Sequence, residues 1–295
     1  MKGICDKMTM QQDSKANNGK ISILMGIYNC APTLNEAIDS ILAQTYTNWE
    51  LILCDDCSTD YTYNIAEEYR KKYPDKIILL KNEKNSRLAF TLNRCLEAAT
   101  GEFVARMDGD DISVPERFEK QVAFLRSHPD IVLVGTAMQR FLDDGSLGAI
   151  AYCEEFPDKD TPYKKGLVFN HATIVAYRDI YNKLGGYTVL PRTVRGQDMD
   201  LWFRFLAEGY KGANMHEALY LVRENESAIK RRTAKDRWIT FQTEWFGYRL
   251  LHYKWYRYIK PIINLMKILV PTGLIIKYRS FQAKKQNNSK PVFQC

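Results

Sequence analysis

Several common signatures are missing from this chain, and each absence removes a class of protein. No apolar run in its 295 residues reaches the length of about 20 needed to span a bilayer. The best candidate, Pro261 to Ile276, is short and interrupted by Lys267 and Pro271. Residues 1–20 are polar, with Gln11, Gln12, Asn17 and Asn18, and have no apolar h-region, so the expectation is a disordered arm and no secretory signal. The seven cysteines are odd in number and scattered, which argues against a disulfide framework and for free thiols in a reducing compartment. Cys54-Asp-Asp-Cys57 has C-x-x-C spacing, but no second pair completes a zinc site. No G-x-G-x-x-G follows the first apolar run, which disfavours a dinucleotide dehydrogenase. Internal repeats and low-complexity blocks are also missing.

Charge is unevenly placed. Residues 230–285 carry fourteen Lys or Arg against Asp236 and Glu244, a net +12 in a chain of +7, so the remainder sums to −5. Aromatic residues from Trp238 to Tyr258 interleave with these cations. A mildly acidic body with a basic, aromatic tail over 226–295 points to an anionic surface. The broken apolar stretch fits an interfacial amphipathic helix on anionic lipid.

The body reads as alternating strands and helices. Ile21–Ile27, Trp49–Cys54, Lys76–Lys81 and Glu102–Met107 are apolar runs of strand length. Between them, helical spacing recurs from Leu34 to Leu42, over Ile65 to Tyr73, and from Leu88 to Ala99. Thr33-Leu-Asn-Glu36 and Ser113-Val-Pro-Glu116 read as capping boxes. Val132–Met138 and Ala172–Tyr177 are strand-like, Phe141–Gly145 reads as a hairpin, and Asp198–Glu208 as a helix. This alternation predicts βαβ units, a parallel sheet, and a ligand crevice beyond the carboxyl ends of the strands. Asp55-Asp56 and Asp108-Gly-Asp110-Asp111 both fall at such ends and are expected to converge there. Carboxylates this dense repel unless a cation or hydroxyl shares their charge, and hard oxygen ligands suit Mg²⁺ or Mn²⁺.

Five blocks, in collinear order, carry a more specific resemblance. They are Ile27-Tyr-Asn29; Ala37 to Tyr46; Glu50-Leu-Ile-Leu-Cys-Asp55-Asp-Cys-Ser-Thr-Asp60; Met107-Asp-Gly-Asp-Asp111; and Gly196-Gln-Asp198-Met-Asp-Leu-Trp-Phe-Arg204. Over about residues 20–225 the chain resembles the family 2 nucleotide-sugar glycosyltransferases. The resemblance implies a GT-A fold: α/β, Rossmann-like, a mixed and mainly parallel sheet flanked by helices. Residues 21–111 would form the nucleotide-binding half and 112–225 the acceptor half, with the basic helical tail outside both.

It also implies roles. Asp55 would accept the uracil N3–H, with Asp56 bracing the turn, Tyr28 lining the base pocket and Arg87 reaching base or phosphate. Asp110 would be the metal ligand, Asp108 the ribose or shared metal contact, and the cofactor Mn²⁺ or Mg²⁺. Asp198 matches the catalytic base. Gln197 stands where the family usually has Glu, and Asp200 is the rival base. His171 and Arg195 are possible acceptor or phosphate contacts, while Arg204 anchors its helix. The activity implied is inverting transfer of a hexose or N-acetylhexosamine from a UDP-sugar to a hydroxyl of a glycan, in surface polysaccharide synthesis. That glycan would be lipid-linked, and the enzyme peripheral on the cytoplasmic face of the membrane, with no nucleic-acid partner. The competing readings are an Asp-x-Asp magnesium phosphatase using Asp108 as nucleophile, and a non-catalytic membrane or nucleic-acid binder.

Overall fold

Alternation along the first strand sets the layering. The computed structural model describes residues 19–142, 144–223 and 233–266. Strand β1 (Ile21–Ile27) is almost wholly buried. Its Ile21, Ile23, Met25 and Ile27 enter one apolar cluster, while Leu24 enters the other. Successive strand side chains point to opposite faces, so a run buried throughout requires helices on both.

The order continues with α1 (Ala31–Leu42), β2 (Trp49–Asp55), α2 (Thr62–Lys72), β3 (Ile77–Lys81), α3 (Arg87–Ala98) and β4 (Phe103–Arg106). Next come β5 (Ile112–Ser113), α4 (Arg117–Ser127), β6 (Leu133–Phe141), β7 (Leu147–Ala151) and α5 (Thr161–Lys164). A 3₁₀ turn at His171–Thr173 leads into β8 (Val175–Tyr177) and α6 (Arg178–Leu184). A second, at Pro191–Thr193, leads into α7 (Gln197–Ala207) and β9 (Gly212–Arg223). Last are α8 (Ala234–Leu250), a 3₁₀ turn at Trp255–Tyr258, and α9 (Ile259–Met266).

The sheet runs β3-β2-β1-β4-β8-β6-β9-β5, with β7 on β6. β3, β2, β1 and β4 are parallel neighbours, and β8 enters antiparallel. Leu34, Ile38 and Ile41 of α1, Ala66 of α2, and Phe118, Val122 and Leu125 of α4 cover one face. Leu92 and Cys95 of α3, the apolar side of α7, and Tyr248 of α8 cover the other.

Both expected capping boxes are absent. Pro32 in its first turn lets α1 begin at Ala31, ahead of Thr33. The Thr33 hydroxyl donates instead to the carbonyls of Cys30 (3.2 Å) and Gly109 (3.0 Å), and Glu36 pairs with Arg223. Ser113 belongs to β5, where its N–H donates to Ser40 Oγ (3.1 Å), and α4 starts only after Pro115. Residues 172 and 173 of the expected strand at 172–177 are 3₁₀ rather than strand. The 12-residue β9 and the short α6 had no counterpart in the sequence reading.

The described part of the tail folds back on the body. Ile239, Thr243, Gly247 and Tyr248 of α8 are buried. A Cβ on Gly247 would overlap the Phe203 ring of α7, so glycine sets how closely the two helices pack. Arg192 lies over the Phe246 ring, and Arg257 pairs with Asp160. Residues 1–18, 224–232 and 267–295, including most of the expected disordered arm and the stretch after Met266, lie outside the described residues.

Candidate active site

Parallel pairing brings the acids to one edge. Ile27 registers with Asp55 across β1 and β2, and Leu24 with Arg106 across β1 and β4. The chain therefore leaves all three strands on the same side, delivering Tyr28, Asp55-Asp56 and Asp108 together.

The two aspartates after β2 differ. Asp55 is fully buried; its Oδ2 accepts from Ser58 N–H (3.1 Å) and its Oδ1 has no donor. Asp56 fronts the cleft. Its Oδ1 accepts from Asn82 Nδ2 and Ser86 N–H (both 2.7 Å), and its Oδ2 from Arg87 N–H (2.9 Å). Asn29, Cys57 and Arg87 all have left-handed backbones, at φ 49°, 62° and 72°. Non-glycine residues in that region are held by their surroundings and cluster at functional turns.

Carboxylate oxygens of Asp108, Asp110 and Asp111 lie within 4.8 Å of one another. Arg106, buried at the end of β4, forms an ion pair with Asp108. Tyr220 of β9 bridges the cluster: its hydroxyl accepts from Asp108 N–H (3.1 Å) and donates to Asp111 Oδ2 (2.9 Å). Arg223 N–H donates to Asp111 Oδ1 (2.9 Å), and Arg223 Nε to the Asp110 carbonyl (3.1 Å). Burial, then the charges of Asp108 and Asp110, push the Asp111 carboxyl up to about 7. The Asp110 carboxyl is also raised, by its surroundings and then by Asp108. Asp111 is thus engaged by protein donors, whereas Asp110 is open at the surface. A pair of crowded, hard oxygen ligands in Asp108 and Asp110 fits a small divalent cation bound to two carboxylates and to substrate phosphate.

Asp198 opens α7 and lies half-buried in a cleft of about 870 Å³. The same cleft is lined by Tyr28, Asp56 and Arg87 on the nucleotide side and by Arg195 and Gln197 beside Asp198. Burial raises the Asp198 carboxyl; N–H groups at the helix start and the Arg106 charge pull it down, and Asp108 pushes it up. Asp198 therefore lies within the electrostatic reach of Asp108, although the two are 90 positions apart in the chain.

Asp200 lies away from the cleft and has no exposure. Thr188 Oγ1 (2.6 Å), Arg192 Nη1 (2.5 Å) and Arg204 Nε (2.8 Å) all donate to it. Burial opposes its ionisation, but these three donors outweigh burial and hold its carboxyl below the ordinary range. His171 shares a 2.8 Å hydrogen bond between Nε2 and the Tyr187 hydroxyl, meets Trp202 edge-on, and does not line the cleft. Burial, then Arg106, pushes its imidazole well below its usual pKa, which favours the uncharged ring. Arg195 Nε pairs with Asp236 of α8 (3.0 Å), and Gln197 Oε1 accepts from Gly196 N–H (3.2 Å).

Three organising residues escaped the sequence reading. Arg106 was hidden inside an apolar run, although a charge at the buried end of a strand is itself a signal for a paired group. Tyr220 and Arg223 sit on β9, which had not been recognised as a strand.

The chain is similar to known proteins in sequence and in fold. A sequence profile described as "Glycosyl transferase family 2" matches residues 22–185. The protein EpsE of Bacillus subtilis (strain 168) is 51% identical over 220 residues, covering 74% of this chain and 78% of EpsE. Escherichia coli WfaP, a UDP-Glc:alpha-D-GlcNAc-diphosphoundecaprenol beta-1,3-glucosyltransferase, is 26% identical over 194 residues, covering 66% and 73%. Residues 1–349 of S. aureus TarS, crystallised with UDP-GlcNAc, superpose with a TM-score of 0.63 at 18% identity, over 85% of this chain and 71% of that one. At that identity the superposition speaks for the fold, which is GT-A. The matched segment spans more than half of the chain and includes the turns that carry Asp55-Asp56 and Asp108–Asp111, though it stops short of Asp198, and on that ground the chain belongs to glycosyl transferase family 2.

Proposed function

We propose that the chain moves a hexose or N-acetylhexosamine from a UDP-sugar to a hydroxyl of a lipid-linked glycan, in surface polysaccharide synthesis, by a single displacement that inverts the anomeric carbon. The observation that carries this reading is the position of Asp198. It lines one cleft with Tyr28, Asp56 and Arg87 and feels the charge of Asp108. WfaP and TarS, with their UDP-linked sugars, support the donor class, and the diphosphoundecaprenol of WfaP supports the acceptor class.

The donor base lies against Tyr28, with Asp56 at the cleft wall, Asp55 behind it, and Arg87 reaching base or phosphate. Asp108 and Asp110 would hold Mn²⁺ or Mg²⁺, and such an ion would supply positive charge to offset that of the diphosphate. Arg106 and Tyr220 fix Asp108, and Tyr220 and Arg223 fix Asp111, so the acidic loop is ordered before substrate arrives. Asp198 takes the proton of the acceptor hydroxyl as its oxygen attacks the anomeric carbon from the side opposite UDP. Gln197 and Arg195 border the acceptor. His171 does not line the cleft, so the acceptor or phosphate contact expected of it is not assigned, and its ring bonds to Tyr187 instead.

The protein would sit peripherally on the cytoplasmic face of the membrane. Among the described residues no helix is long and apolar enough to cross a bilayer. Trp255, Ile262, Ile263 and Met266, in the described part of the basic tail, are exposed, which supports interfacial contact.

The test is a panel of nucleotide-sugars with Mn²⁺ or Mg²⁺, read as nucleotide release. Metal-dependent turnover of a UDP-sugar is the expected result. Release of phosphate from a generic aryl phosphate, with no nucleotide-sugar turned over, would favour the phosphatase reading instead.

A further inference from the structure

The wall of the cleft contributed by α8 and α9 lies outside the segment that matches the family. One face of α8 is fastened to the body through Ile239, Thr243 and Gly247, and the Thr243 hydroxyl donates to the Arg192 carbonyl (2.5 Å). Helical spacing then turns Arg237, Thr240 and Phe241 into the cleft, along with Glu244 and with Asp236, which is paired with Arg195. Among the described residues Arg237 has no carboxylate partner. Phe241 stacks on Trp238 (centroids 5.4 Å apart, planes at 24°) and leans on Trp245 (5.4 Å). Trp238 and Trp245 are exposed, so an aromatic strip runs from inside the cleft outward.

We infer that this wall is the acceptor subsite for a prenyl-diphosphate-linked sugar: Arg237 takes the diphosphate and the Phe241–Trp238–Trp245 strip takes the first prenyl units, leaving a sugar hydroxyl beside Asp198. This rests on the reading of a lipid-linked acceptor given above. Charge and continuity favour that occupant. An unpaired cation inside a cleft complements an anion, and an aromatic strip that starts at the same cleft and leads to the surface suits an attached hydrocarbon. A bare sugar would need neither. A surface that only touched a bilayer would not place its cation and its first ring inside the cleft.

Farnesyl diphosphate and inorganic diphosphate serve as probes, titrated into the full chain with saturating UDP and Mg²⁺ filling the donor half. Farnesyl diphosphate is expected to bind at least tenfold more tightly than inorganic diphosphate. Arg237→Gln weakens both at least tenfold. Trp238→Ser with Trp245→Ser weakens farnesyl diphosphate at least tenfold, leaves inorganic diphosphate unchanged, and keeps UDP affinity within twofold, which reports an intact fold. Equal affinity for the two probes, or indifference to these substitutions, overturns the assignment. So does a tryptophan double variant that loses phosphatidylglycerol vesicles while still binding farnesyl diphosphate as the unsubstituted chain does. A chain that binds farnesyl diphosphate through these residues but fails to bind UDP upholds the subsite and overturns the donor reading.

Discussion

Asp198 stands between opposing influences. Burial raises its carboxyl and Asp108 adds to that, while helix N–H groups and Arg106 favour the charged form. A base must be ionised to accept a proton, so kcat/KM falls as pH drops through its folded pKa. Because the net direction is upward, that acid limb is expected above the ordinary Asp value of about 3.9. A pH–rate profile for sugar transfer checks this, and a limb at or below that value contradicts the role. The Asp108–Asp111 cluster was visible in the sequence as a break at the end of an apolar run, whereas Asp198 was singled out only by its match to the family motif. Arg106 was not, since a single cation within an apolar strand shows its meaning only when Asp108 is placed beside it. Which of Asp55 and Asp56 faces the cleft was likewise decided by the turn after β2, and not by their spacing.

Elements hold these residues in place. The start of α7 is fastened by the buried Asp200, gripped by Arg192 and Arg204. Removing Arg204 leaves Thr188 and Arg192 still donating to Asp200, so the cost is that of one hydrogen bond lost by a buried charge, about 1–3 kcal/mol. Arg204→Met is expected to lower unfolding free energy in urea by that order, while chain that remains folded still binds UDP. A loss near zero would mean that Asp200 is not the anchor. Its carboxyl lies below the ordinary range, so this contribution is present above the unfolded pKa of about 3.9 and lost as pH falls through the folded value. Strands and long helices were readable because period-two and helical patterns follow from burial on one or two faces. Helix starts were not. Thr33 and Ser113 fit a local capping pattern, but Pro32, Pro115 and contacts to distant segments decided where α1 and α4 begin. β9 was missed because its middle, Met215 to Glu217, is partly exposed and its pairing with β6 shifts register there.

At the scale of the molecule, the uneven charge and the aromatic tail were evident in the sequence, but the use of α8 and α9 was not. The contacts of α8 with Phe203 and Arg192, and of Arg257 in the turn after it with Asp160, depend on the folded body, so composition alone pointed outward to a membrane. The described helices serve the cleft, and their exposed rim remains available for lipid. Flotation with phosphatidylglycerol vesicles is expected to weaken steeply as salt rises, since the Debye length shortens from about 10 Å at 0.1 M to about 3 Å at 1 M. Salt-independent flotation would contradict a contact driven by the net +12 of residues 230–285.

The central claim of the proposed function is that acids distant in the chain divide two jobs: Asp110, beside the cleft, on the metal side of the donor, and Asp198, in its lining, on the acceptor proton. Calorimetric titration of UDP with and without Mn²⁺, in the unsubstituted chain, Asp110→Ala and Asp198→Asn, tests it most directly. Both variants are expected to lose turnover. Mn²⁺ should tighten UDP binding in the unsubstituted chain and equally in Asp198→Asn, and lose that effect in Asp110→Ala. Equal loss of UDP affinity in the two variants would contradict the account.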